Sequence, residues 1–335
     1  MFETLTRRAA VARLISASLV GSAWLAGPAQ AAGPDGYPSR PVTIVVPFAP
    51  GGATDIIARL LADELGKRWK VTVLVDNRPG AGGAIGTEFV ARAKPDGHTL
   101  LLGTQTALAV SPSLVAKLSY NPTTDFTPVT LLASTPLVLL ASAATSATSA
   151  PDLIRMIKAR PGAMSYGSSG NGTSQHLTAE MFLNGIGGKA IHVPYKGSSG
   201  SLTDLGGGQI DMQFDNMATA LAFAKSGKAR ALAVTGDKRS ELAPELPTLV
   251  ESGLAGFEAS TWLGLLAPAG LAPALLQYLN EETVAVLGST EVRAKLAAQG
   301  FAPRPTSPEA FRKYIQDETA KFAALIKSNR ITLGN

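Results

Sequence analysis

The stretch VTIVVPFAPGGATDIIARLLADEL, residues 42–65, decides the fold. Its first six residues, VTIVVP, are continuous, β-branched and closed by a turn signal, as a buried strand is. From Asp55 to Lys67 apolar residues recur at Ile56, Ile57, Leu60, Leu61 and Leu65, a helical stripe, with Thr54 where an N-cap belongs. Between strand and helix, PFAPGGATD (47–55) holds two prolines and two adjacent glycines. A tight turn would explain them. So would a backbone whose N–H groups must stay free to hold something.

The same logic repeats downstream. VTVLVDN (71–77), RPGAGG (78–83) and AIGTEFVARAK (84–94) read as strand, loop and helix, with Ile85 and Phe89 one turn apart. HTLLLGT (98–104) is a third strand ending at Thr104. Such alternation with short loops implies an α/β fold with parallel sheet and right-handed crossovers. After the small-residue run ASAATSATSA (141–150) a second set begins: a helix over 151–160, a strand, a glycine-rich loop and a helix within 163–183, and strands at 190–193 and 210–214 with a helix from about Ser199 between them. A helix and a strand follow within 217–236, and FEASTWLGLLAP (257–268) is one strand more. The tail is helical over 273–287, 290–299 and 308–327, with no further strands expected. Packing it back on the first unit predicts a discontinuous lobe 1 (32–140 plus 263–335) and a lobe 2 (141–262). Crossings near 137–143 and 258–265 would then form a hinge.

Length and composition agree with two domains: 335 residues, 45% hydrophobic and 16% charged. The formal charge is +5, and removing residues 1–31, with Arg7, Arg8, Arg13 and Glu3, turns 30 Lys+Arg against 25 Asp+Glu into 27 against 24. That surplus is spread along the chain without the basic, aromatic-laced runs of nucleic-acid grooves, so no nucleic acid is expected. There are no cysteines, which excludes disulfides, thiolate nucleophiles and thiolate-bound metals. Residues 1–31 read as a secretory signal peptide: arginines first, an apolar stretch around Leu14 to Ala26, then small residues at Ala29 and Ala31. Cleavage after Ala31 predicts a periplasmic, soluble mature protein, by general secretion rather than the twin-arginine route.

GAGGAIG (80–86) nearly matches a dinucleotide fingerprint, but its glycine spacing is wrong and its strand is the second of its domain. No phosphate-binding G-x-x-x-x-G-K-[ST] occurs, and no cofactor is expected. A secreted serine hydrolase of small esters is the alternative class; Gly167-Ser168-Ser169-Gly170 and Gly197-Ser198-Ser199-Gly200 each fall one residue short of the nucleophile elbow. His176 and Glu180 stand four apart, but with no third ligand they predict no metal site. What remains is three loops of one type at strand ends and helix starts: PFAPGGAT (47–54), RPGAGG (78–83) and GSSGNGT (167–173). Helix N-termini carry unpaired N–H groups and about half a unit of positive charge, and glycines let a ligand approach them. Such loops hold anions without arginine or lysine.

At these residues the sequence resembles the Bug-type periplasmic solute receptors of tripartite tricarboxylate transporters. The resemblance runs from about Tyr37 to the C-terminus and rests on an ordered set: YPSRPVTIVVPFAPGGATD, VDNRPGAGGAIGTE, KPDGHTLLLGT, YGSSGNGTSQHL, HVPYKGSSGSLTDLGGGQIDM, ALAVTG, LPTLVESG and WLGLLAPAG. It implies a two-lobed periplasmic binding protein, type II-like, monomeric and without catalysis. Such a protein closes on a small carboxylate and delivers it to a membrane permease. A dicarboxylate is the first expectation and an aromatic carboxylate the second. On this reading Gly51, Gly52, Ala53 and Thr54 offer N–H groups and a hydroxyl to the carboxylate, with Phe48 walling the cleft. Gly83 and Ala84 supply a second donor set, and Thr104 sits at the mouth of the third strand. Asp55 orients the first loop or faces a ligand amino group. Ser168, Ser169, Thr173 and His176 meet the ligand's far end, with Tyr195 and Asp215 nearby.

Overall fold

The computed structural model describes residues 33–195, 197–328 and Ile331. The expected leader, residues 1–31, lies outside them. Val42–Val46 (β1) is paired in parallel with Val73–Asn77 (β2) and Thr99–Thr104 (β3), and Ala53–Trp69 (α1) and Ala84–Ala91 (α2) make the crossovers. In β1, Val42, Ile44, Val45 and Val46 are fully buried, the outcome expected of a continuous β-branched run.

Two local readings are corrected. α1 begins at Ala53 with Gly52 in the N-cap position, so Thr54 lies inside the first turn and caps nothing. The pair Ile85 and Phe89 faces outward, Phe89 beneath the Arg78 guanidinium at 3.5 Å, while Gly86, Thr87 and Val90 form the buried face of α2.

The element that organises the molecule is Phe126–Ser142 (β4), seventeen residues long and without a counterpart in the sequence reading. Its first part, Phe126 to Pro136, runs antiparallel to Ser260–Pro268 (β9), which in turn pairs antiparallel with β3. Its last part, Leu137 to Ser142, runs antiparallel to Met212–Asn216 (β7) and Ala229–Val234 (β8). β7 continues in parallel to Ser165–Ser168 (β5), and β5 to Ile191–Pro194 (β6). The strand order is β2-β1-β3-β9-β4-β7-β5-β6. β4 thus changes partners between Pro136 and Leu137, one strand serving two groups of βα units. The tail, expected to hold no strand, contributes Ala302–Pro303 (β10), paired with β4 at Ser134 and Ala133.

Helices Ala150–Ala159 (α3), Ser174–Ile186 (α4), Ser198–Gly206 (α5) and Met217–Lys225 (α6) surround the second group, and Pro273–Gly288 (α7), Thr290–Ala298 (α8) and Pro308–Ser328 (α9) form the tail. α9 returns to the first group: Phe311, Ile315, Phe322 and Ile326 join Val45, Leu101, Leu131 and Trp262 in one core. Its approach depends on Gly264. A Cβ there would lie 2.0 Å from Cζ of Phe311, whose ring stands edge-on to Trp262 at 5.8 Å. We expect Gly264→Ala to destabilise the protein by about 1–3 kcal/mol, the usual cost of overpacking, read as a lower urea midpoint at unchanged slope. A midpoint equal to the parent's would mean that α9 docks elsewhere. No helix among the described residues is long and apolar enough to cross a membrane.

Candidate functional site

The candidate residues gather at the carboxyl ends of the parallel strands, where open α/β sheets bind ligands. Asp55 fixes the first loop, after β1. Its carboxylate, 4% exposed, accepts hydrogen bonds from the Gly51 N–H (3.0 Å), Arg59 Nε (3.0 Å) and Asn77 Nδ2 (3.0 Å). Asn77 donates also to the Phe48 carbonyl at 3.0 Å, which clamps the loop at both ends. Burial works to raise the Asp55 pKa, but the bonds from Arg59, Gly51 and Asn77 outweigh it, and the group lies below the usual carboxylate range. A carboxylate beside an anion site is thereby turned inward, to the loop.

One expected donor is lost in the process. The Gly51 N–H, assigned to a ligand, is spent on Asp55. The first intrahelical bond of α1 runs from Ile56 N–H to the Gly52 carbonyl, so the amides of Gly52, Ala53 and Thr54 precede the ladder. None of the three has a hydrogen-bond partner among the described residues, and Gly52 is exposed. These are the donors left to an anion.

The second loop is corrected further. Gly83 N–H donates to the Gly80 carbonyl at 2.9 Å and Ala84 N–H to the Ala81 carbonyl, so neither is a free donor. The left-handed residues Ala81, Gly82 and Gly83 wind a tight turn that consumes its own amides. Its contribution is shape. A Cβ on Gly83 would come within 3.3 Å of the Phe48 ring, so the Phe48 side chain closes directly over this glycine and joins the two loops. At the end of β3, Thr104 is buried and its hydroxyl receives the Ala107 N–H at 3.4 Å.

The glycine-rich loop after β5 is held from beneath, and most of its expected contacts turn inward. Ser168 is fully buried; its Oγ lies 3.0 Å from the Gly170 carbonyl, 3.2 Å from the Gly170 N–H and 2.7 Å from His192 Nε2. That last distance suits a nucleophile and its base, but the hydroxyl has no exposed surface from which to attack a substrate. Thr173 donates its hydroxyl to the Gly170 carbonyl at 2.8 Å. Nδ1 of His176 accepts the Gly172 N–H at 3.0 Å, and its ring stacks on His192 at 3.9 Å, with the Tyr166 ring 4.8 Å from His192 and 6.3 Å from His176. Burial holds both imidazoles neutral, with pKa values near 3 for His176 and 4 for His192. Ser168, Thr173 and His176 therefore build the loop rather than face a ligand.

Ser169 is half-buried and donates to Gln175 Oε1. Gln175 Nε2 donates to Ser198 Oγ (3.1 Å), and Ser198 Oγ to Asp215 Oδ1 (3.3 Å). Asp215 is fully buried and also receives the Asn216 N–H (2.7 Å) and Gln213 Nε2 (2.7 Å). Burial is the largest influence on it and pushes its pKa up to about 6 against those hydrogen bonds. It ties loops together from behind. Tyr195 donates its hydroxyl to Asp204 at 2.5 Å, toward α5. Sequence reasoning does not single out Gln105, Ser174 and His192, whose partners lie far along the chain, nor Gln175 and Gln213. Only Ser198 carried a signal, inside the glycine–serine run 197–200. Among the described residues no group of three His, Cys, Asp or Glu is placed to hold a metal ion.

Residues 57–331 match the family described as the tripartite tricarboxylate transporter family receptor. Protein BugT of Bordetella pertussis is 38% identical over 309 residues, 92% of this chain and 94% of that protein. The solved structure of R. palustris Rpa4515 with adipate is 35% identical and superposes with a TM-score of 0.84, covering 88% of this chain and 99% of that one. MatC from Rhodopseudomonas palustris with bound malate is 31% identical at a TM-score of 0.79, covering 87% and 100%.

Proposed function

The chain belongs to the tripartite tricarboxylate transporter receptor family, with the α/β fold of periplasmic solute-binding proteins, and we propose that it closes two lobes around a small dicarboxylate and delivers it to a membrane permease. One observation carries the reading: three consecutive unpartnered amides, at Gly52, Ala53 and Thr54, at the start of a seventeen-residue helix. The positive end of that helix favours an anion, and Asp55 fixes the loop so that no ordering is required when the anion arrives. Adipate and malate in the relatives support a dicarboxylate over an aromatic acid. The lobes would part where β4 changes partners, at Pro136–Leu137, and at the start of β9 near Ser260. Residues 1–31 would act as the export leader, and the mature protein would work as a monomer without chemistry on its ligand.

A melting screen of the purified mature protein against adipate, malate, benzoate and glutamate tests this. The expected result is stabilisation by a dicarboxylate, about 2.7 kcal/mol at a hundredfold excess over Kd, with the ligand recovered unchanged. Silence across all four compounds, or turnover of an ester, would overturn it.

A further inference from the structure

Gln105, the residue after Thr104 at the end of β3, is 2% exposed and has its whole amide engaged. Nε2 donates to the Ser260 carbonyl at 2.8 Å and to Oε2 of Glu318 at 3.0 Å, and Oε1 receives the Ser174 hydroxyl at 3.0 Å. The orientation of the amide is not free. A carbonyl and a carboxylate can only accept, so the NH2 must face Ser260 and Glu318, and the oxygen must face Ser174. Glu318, on α9, is itself anchored: the same oxygen takes the Trp262 Nε1 hydrogen at 3.0 Å, and the residue is 8% exposed. Residues from β3, β9 and the C-terminal helix thus aim one acceptor at one hydroxyl.

That hydroxyl belongs to the other group of strands. Ser174 is the first residue of α4 and directly follows the glycine-rich loop, and it also reaches Thr261 Oγ1 at 3.4 Å. One side-chain pair therefore links the mouth of β3 to the loop that follows β5. We propose that Gln105 and Ser174 form a latch that sets the separation of the two lobes before any solute binds, with Glu318 as the positioning residue that keeps the Gln105 oxygen turned toward α4. The inference rests on the reading that the lobes move against each other around a solute. A net neutral hydrogen bond is small, so its loss shifts a two-state equilibrium roughly 3- to 10-fold rather than abolishing a state.

The chain has no cysteine, so a label pair introduced by Lys94→Cys and Lys158→Cys, both at exposed positions, reports the separation alone. The distance distribution is measured in the solute-free mature protein, by electron–electron resonance, in the parent and in S174A and Q105A. S174A is the cleaner variant, because it leaves Gln105, Glu318 and Trp262 bonded to one another; its melting temperature should stay at the parent's. Both variants should move population toward longer distances, roughly 3- to 10-fold in the ratio of the two states. A folded S174A with the parent's distribution would overturn the latch, as would a parent already spread over both states. Neither result bears on the melting screen, so a failed latch and a failed receptor reading remain distinguishable.

Discussion

G52W is expected to fold and melt like the parent and to lose binding of whichever dicarboxylate stabilises that parent. A Cβ at Gly52 meets nothing within 4 Å, its φ of −82° is ordinary for any residue, and the position is exposed, so the fold has no reason to object. The indole would lie over the N–H groups of Ala53 and Thr54, the donors that precede the first intrahelical bond. Charge-assisted hydrogen bonds are worth about 1.5–3 kcal/mol each, so blocking two costs roughly 100-fold in affinity or more. Titration calorimetry beside a melting curve reads both quantities. Affinity within a few-fold of the parent in a folded G52W would move the carboxylate away from α1, and with it the whole assignment of donors.

How far this site could be read from sequence depends on how local its causes are. The β1 strand, the α1 helix and the turn between them follow from neighbouring residues, and their boundaries shift by only a residue or two. β4 did not announce itself. Pro128 and Pro136 remove ladder donors, the register slips near Pro128 and again after Leu131, and almost every side chain is buried, so neither strand alternation nor a clean apolar run survives. The donors were harder still. That Gly51 gives its hydrogen to a side chain four residues on, and that Gly83 and Ala84 close their own turns, depends on left-handed backbone angles that glycine permits but does not announce. Gln105 and Glu318 are 213 positions apart and carry no motif at all. Ser168, Thr173 and His176 stand out in sequence as polar residues in or beside the glycine-rich loop, but their bonds to Gly170 and Gly172 do not.

The inward turn of that cluster makes acid stability the second large effect. His176 and His192 are neutral in the folded protein down to about pH 3 and 4, whereas in the unfolded chain they take up protons near 6.5. Between pH 4 and 6 the unfolded state therefore holds more protons at both sites, and stability falls as pH falls, by about 1.4 kcal/mol per pH unit for each ring. Asp215 acts in the opposite sense. Its folded pKa of about 6 exceeds the unfolded 3.8, so over the same window the folded state holds the extra proton and gains about 1.4 kcal/mol per unit as pH drops. Two rings against one carboxyl leave a net loss of about 1.4 kcal/mol per unit. In D215N the opposing group is gone and the slope should double. The new amide can be accommodated, because Gln213 Oε1 is buried without a partner and a flip of that side chain presents an acceptor where Nε2 now donates. H192Q removes one ring and should flatten the profile. Urea midpoints at pH 6.0, 5.5 and 5.0, where the unfolded chain's carboxylates are still mostly ionised, measure all three slopes. Identical slopes in the parent and D215N would show that Asp215 is ionised throughout, and a parent whose stability rises toward acid, with the same rise in H192Q, would show that the stacked rings protonate in the folded state as they do unfolded.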